Sequence, residues 1–133
     1  MTHGLDTSVV VRILSGLPEG VAEAVAERIA TEIAAGNDFA VSPLVLSEAY
    51  FALQYHYAFT KEEALRSLSA LAATSGIHVP QYARTILDKP DLARARPGFV
   101  DQMIVSEYAL AGSDTYSCEK AFPRLEGTVV ITG

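Results

Sequence analysis

The chain has 133 residues, half of them hydrophobic and 20% charged, which is enough apolar material for one core and too much for a disordered segment. Ten Lys and Arg against sixteen Asp and Glu leave a net charge of −6, so bulk charge does not favour coating nucleic acid or an anionic membrane. Any phosphate must be met by a local cationic patch or by a metal ion. The single cysteine, Cys118, allows no internal disulfide and no zinc cluster, and suits a reducing cytoplasm. No run approaches the roughly 20 apolar residues that cross a bilayer. Met1 to Asp6 lacks the basic-then-apolar pattern of a signal peptide. The expectation is a single cytoplasmic domain over 1–133.

Short apolar runs alternate with helical patterns, the signature of an α/β domain with a parallel sheet. A first strand is read as ending near Asp6, before a helical segment through Val9-Val10-Val11. Val21, Val25, Ile29 and Ile33 repeat every fourth residue, with Glu23, Glu27 and Glu32 off that stripe, which predicts an amphipathic helix with one buried side. Gly36-Asn37-Asp38 stops it, and Phe39 to Val41 reads as a second strand. Ser42-Pro43 is an N-cap followed by proline at the first helical position. The helix from Pro43 carries Leu44, Leu46, Tyr50, Phe51, Leu53 and Tyr55 and is expected to be largely buried. Thr60 and Glu63 form a capping box for the next helix, which runs through Leu65, Leu68 and Leu71 and ends at Gly76. Ile77 to Val79 is a third strand, Gln81 to Leu87 a short helix, Lys89-Pro90-Asp91 a turn and Phe99 to Ala111 a helix. Thr115 to Ser117 and Val129 to Ile131 are the fourth and fifth strands.

Ligands of an open parallel sheet sit outside the carboxyl ends of its strands. On that map Asp6 closes strand one, Glu48 lies past the first turn of the helix after strand two, Asp101 opens the helix before strand four, and Glu119 follows strand four. Glu48 and Asp101 also interrupt apolar segments, where a carboxylate is costly unless paired, hydrogen-bonded or metal-bound. Each has a plainer reading taken alone: Asp6 as a helix cap, Glu48 as a solvated or cross-helix-paired acid, Asp101 as an acid favoured by the helix dipole. Gathered together, they repel one another, and a hard divalent cation with oxygen ligands relieves that repulsion. Mg²⁺ or Mn²⁺ in such a pocket points to phosphodiester hydrolysis.

These segments resemble a known family. Leu5-Asp6-Thr7-Ser8-Val9-Val10 is similar to the opening of PIN domains, and among them to the VapC toxins of bacterial toxin–antitoxin pairs. Ser42-Pro43-Leu44-Val45-Leu46-Ser47-Glu48 resembles the family's strand-to-helix element with its glutamate, and Phe99-Val100-Asp101-Gln102-Met103-Ile104 resembles its penultimate helix, opened by an aspartate. Tyr116-Ser117-Cys118-Glu119-Lys120-Ala121-Phe122 is similar to the family's Tyr-Thr-Phe-Asp-Lys segment. The match runs from Leu5 to Ile131. The resemblance implies a three-layer α/β/α fold around a central, mostly parallel five-stranded sheet. It also implies an endoribonuclease dependent on Mg²⁺ or Mn²⁺, the toxin of a type II toxin–antitoxin pair that inhibits translation by cutting tRNA or ribosomal RNA. Asp6, Glu48 and Asp101 would be the acidic, metal-holding core, Glu119 a further catalytic acid, and Thr7 or Ser8 a support. The implied partners are RNA, a small antitoxin and a second copy of the chain, with no membrane.

The last motif departs from the family, with Ser117-Cys118-Glu119 where Thr-Phe-Asp is usual. Glu119 is longer by one methylene, so it can shift or act through water, and Asp114, five residues earlier, is a rival for its position. The departure motivates an alternative: a PIN-like module with a weak or inactive site, serving as a protein- or RNA-binding scaffold. Arg94 and Arg96, with Lys89 and Arg84, are the best basic cluster and read either as RNA-phosphate contacts or as solvated loop charges. Tyr50, Phe51, Tyr55, Tyr57 and Phe59 read as core or dimer face, with a base-stacking platform as the other reading. Cys118 is expected in the core and Glu107 exposed or paired. His3, His56 and His78 show no zinc spacing, and no glycine-rich nucleotide loop is present.

Overall fold

A computed structural model describes residues 1–131. Its elements follow local capping signals closely. Strand β1 (Thr2–Gly4) leads to helix α1 (Thr7–Ser15), whose start is fixed by the Asp6 carboxylate accepting the Val9 N–H. Gly16, at φ 70°, closes α1 by donating its N–H to the Arg12 carbonyl. Helix α2 (Val21–Ala34) and strand β2 (Asp38–Ala40) follow. Helix α3 (Pro43–His56) is capped by Ser42, whose Oγ accepts the Val45 N–H at 3.2 Å. Helix α4 (Lys61–Ala72) opens on the reciprocal Thr60–Glu63 bonds of 3.0 and 2.8 Å expected of a capping box. Strand β3 (Ile77–His78), helix α5 (Gln81–Leu87), a 3₁₀ turn at Leu92–Arg94 and helix α6 (Phe99–Leu110) come next. Strand β4 (Thr115–Ser117), a 3₁₀ turn at Phe122–Arg124 and strand β5 (Thr128–Val130) complete the order.

The α/β class and the parallel pairing agree with the sequence reading; the single five-stranded sheet does not. The strands form two sheets. One has the order β1-β2-β3, with Gly4 opposite Ala40 and Ala40 opposite His78; the other pairs β4 with β5, Thr115 opposite Thr128. Leu5, Val41 and Ile131 each extend the pairing by one further backbone bond. The separation has a physical basis. Thr2, His3 and Gly4 are all exposed, Gly4 is a weak strand former, and Tyr116 in β4 is exposed as well. Joining β4 to β1 would bury little apolar surface.

The core is built from α1, α3, α4 and α6 over β2 and β3. Phe99, Leu46, Leu53, Leu68, Met103, Val10 and Val41 are its largest fully buried side chains. Two burial expectations are corrected. In α2 only Ala22 is buried; Val21 is exposed, and Ile29 and Ile33 are half-buried against the core, so this helix sits at the rim. Ile33 nonetheless approaches the chain closely at Gly76, where an added Cβ would lie 2.7 Å from Ile33 Cγ2 at a φ of +87°. In α3 one face is buried (Leu46, Ala49, Tyr50, Leu53), while Leu44, Phe51 and Tyr55 face outward. A helix apolar on all sides carries no pattern to say which side packs.

Candidate functional site

Asp6 leaves β1 in extended backbone and turns directly into α1. Its carboxylate accepts from the Ser8 hydroxyl at 2.6 Å and from the Val9 N–H at 3.2 Å. These two bonds, the serine first, hold its pKa below the usual carboxylate value. Thr7 points elsewhere and donates its hydroxyl to Glu48 Oε1 at 2.8 Å, which ties the second turn of α3 to the start of α1. Thr7 and Ser8 thus each support a different acid, Thr7 bonding Glu48 and Ser8 bonding Asp6.

Asp101 is placed by its neighbours in α6. Phe99 is fully buried and meets the Tyr50 ring edge-on at 5.4 Å. Gln102 is buried too; its amide donates to the Pro97 carbonyl at 2.8 Å and its Oε1 accepts from Lys89 Nζ at 2.7 Å. With both neighbours committed inward, Asp101 faces a groove of about 490 Å³ between α3, the start of α6 and the segment after β4. Glu119 lines the same groove, its own N–H donating to the Ser117 hydroxyl at 3.0 Å. Partial burial pushes the Asp101 carboxyl above the usual value, and the Glu119 charge pushes it further the same way. The structure therefore brings Asp101 and Glu119 within electrostatic reach of each other, and Glu48 to the α1 N-terminus.

Among the described residues, no three His, Cys, Asp or Glu side chains gather closely enough to hold a metal ion. A hard cation needs less: Mg²⁺ keeps several waters and is held by one or two carboxylates. The Asp101–Glu119 pair, all oxygen and ill at ease as two like charges, fits such an ion, and its donors do not suit zinc.

The remaining candidates separate. Arg96 lines the Asp101 groove; Arg94 lines a different cavity of about 550 Å³ with Arg66 and Lys89, and Arg84 is exposed on α5, so the basic cluster read from the sequence is split. Asp114 is exposed. Cys118, expected in the core, is exposed because β4 is an outlying strand. Glu107 is exposed and paired: it accepts from the Tyr82 hydroxyl, whose pKa is pushed up to about 12 by burial first and by the Glu107 charge and hydrogen bond after it. His78 meets Asp38 at 3.3 Å. Two residues went unread in the sequence. Gln102 had a signal, a polar side chain inside the apolar run Phe99 to Val105; Lys61, which lines the groove, was hidden inside a capping box. No helix among the described residues is long and apolar enough to cross a membrane.

No family model matches the chain, and no curated protein does either. Among solved structures, the chain is similar to one in the crystal structure of VapBC2 from Rickettsia felis bound to a DNA fragment from their promoter, at 17% identity and a TM-score of 0.44, covering 98% of each chain.

Proposed function

We propose that the chain is a Mg²⁺- or Mn²⁺-dependent endoribonuclease and the toxin partner of a small antitoxin, acting on RNA in the cytoplasm as a homodimer. The observation that carries the catalytic part is the Asp101 carboxyl, raised by burial and by Glu119 at the wall of an open groove. A titratable group perturbed by burial together with a specific charged neighbour in a cleft is a candidate for chemistry. The four motifs around Asp6, Glu48, Asp101 and Glu119, in family order along the chain, support the toxin part.

In this reading Asp101 and Glu119 would hold the ion, which when bound would supply charge neutralisation at the phosphate and a more acidic water. Phe99 and Gln102, fixed in the core, keep the Asp101 carboxylate oriented. Asp6 and Glu48, which Ser8 and Thr7 hold at the start of α1, are the acids that the family resemblance assigns to the same site, where they would orient the attacking water and take up its proton. Products carry 5′-phosphate and 3′-hydroxyl ends. The test is cleavage of RNA with Mg²⁺, with Mn²⁺ and with chelator, for the native chain and Asp101→Asn. Cleavage that requires the ion and disappears in Asp101→Asn is the expected result. Cleavage surviving chelation overturns the mechanism, and RNA left intact under all conditions assigns the chain to a non-catalytic binding module.

A further inference from the structure

We propose that the groove leading to Asp101 and Glu119 takes a single strand of RNA, with one base stacked on the exposed Tyr55 ring and the adjoining phosphates between Lys61 and Arg96. Tyr55 is 79% exposed, the most exposed aromatic ring among the large hydrophobic residues on the surface, on a helix whose other face is buried. The ring is held in place: Phe51, one turn earlier, stacks on it with centroids 6.4 Å apart and planes 23° apart. Phe51 in turn leans on Tyr50, at 5.2 Å, and Tyr50 is buried against Phe99. The outer face of Tyr55 is a water-exposed π surface, linked through Phe51 and Tyr50 to the core.

Charge selects the occupant. Lys61 and Arg96 line this groove together with Asp101 and Glu119, so it is formally balanced, but neither cation is in an ion pair among the described residues and both are available to phosphate. Two free cations beside an aromatic face match a phosphate backbone with splayed bases; a duplex keeps its bases stacked on one another and offers no face to the ring. The acids of the same groove complete the fit: the strand's bases contact α3 at Tyr55 and one phosphodiester reaches Asp101 and Glu119. The identity of that reactive end rests on the nuclease reading; the stacking subsite does not.

The test is fluorescence anisotropy of a labelled short oligouridine, with chelator present so that no cleavage occurs. The native chain and Tyr55→Phe are expected to bind alike, Tyr55→Ala about 5- to 100-fold more weakly, and a double mutant of Lys61→Ala and Arg96→Ala to lose salt dependence as well as affinity. A labelled RNA duplex of equal length is expected to bind at least about tenfold more weakly than the single strand. Tyr55→Ala binding like the native chain, or equal affinity for duplex, overturns the proposal. So does a chain without RNA affinity whose self-association in sedimentation is lost in Tyr55→Ala, which makes this face an interface between copies. Separate cleavage assays with Mg²⁺ keep the two readings apart. RNA bound through Tyr55 but never cut removes the nuclease and leaves the subsite; ion-dependent cleavage with Tyr55→Ala binding unchanged does the reverse.

Discussion

Asp6 and Asp101 are the same side chain at the starts of two helices, and their surroundings push them in opposite directions. Asp6 is served by its own chain: the Ser8 hydroxyl and the Val9 N–H sit at its oxygens and favour the charged form. Asp101 is half-buried beside Glu119, and burial and like charge both disfavour ionisation. A helix dipole alone would make the two equivalent. The difference separates an acid whose needs are met by the fold from one that a cation would relieve, so the second is where a ligand has most to contribute.

The largest effect that can break this comparison is on activity. Asp101→Asn is expected to reduce ion-dependent RNA cleavage by more than about 100-fold, since a metal site supplies several kcal/mol to the reaction. The same substitution removes a disfavoured charge, so the melting temperature at neutral pH should rise; a fall would show that the fold stabilises the Asp101 charge as it does that of Asp6. Added Mg²⁺ should raise the melting temperature of the native chain and leave Asp101→Asn unmoved. Next in size, Phe99→Ala should cost about 3–5 kcal/mol in urea denaturation, because the fully buried ring seats the start of α6. Ser42→Ala removes the cap of α3, the helix that carries Glu48 and Tyr55, and should cost about 1 kcal/mol.

The smallest effects are in the pH dependence, and their signs oppose. Asp6, lowered, contributes stability that is present above the ordinary carboxyl value of 3.8 and is lost as pH falls through its folded value. Asp101, raised, does the reverse: the folded state holds its proton longer, so stability declines as pH rises from 3.8 through its folded value. Thermal melts between about pH 3 and pH 6 should therefore lose the falling component in Asp101→Asn and the rising one in Asp6→Asn, in which the cap itself is kept because asparagine caps as well as aspartate.

Much of this was legible along the chain. Ser42-Pro43 and the Thr60–Glu63 box mark helix starts within a residue, and the acids that interrupt apolar runs are those with partners or shifted titration. Gly36 and Gly76, both with positive φ, mark the turns before β2 and β3. What was not legible is how distant pieces meet. Arg94 and Arg96 are two residues apart in sequence and line different cavities: Arg94 ends a 3₁₀ turn, and the chain is extended from Ala95. Cys118 follows a strand, and strands of a central sheet are buried, but among the described residues β4 pairs with β5 alone, and the thiol is left in solvent.

The sequence by itself determined the helices, their caps and the order of strands, since those signals act over a few residues through backbone hydrogen bonds that form wherever the chain is. Only the tertiary structure decided that the strands divide into two sheets, that Asp101 and Glu119 line one groove, and that Tyr55 stays in water while Tyr50 is buried. Those outcomes depend on which apolar face finds a partner. In a helix such as α3, apolar on nearly every side, the choice is made by the neighbours that pack against it and by nothing written in the helix.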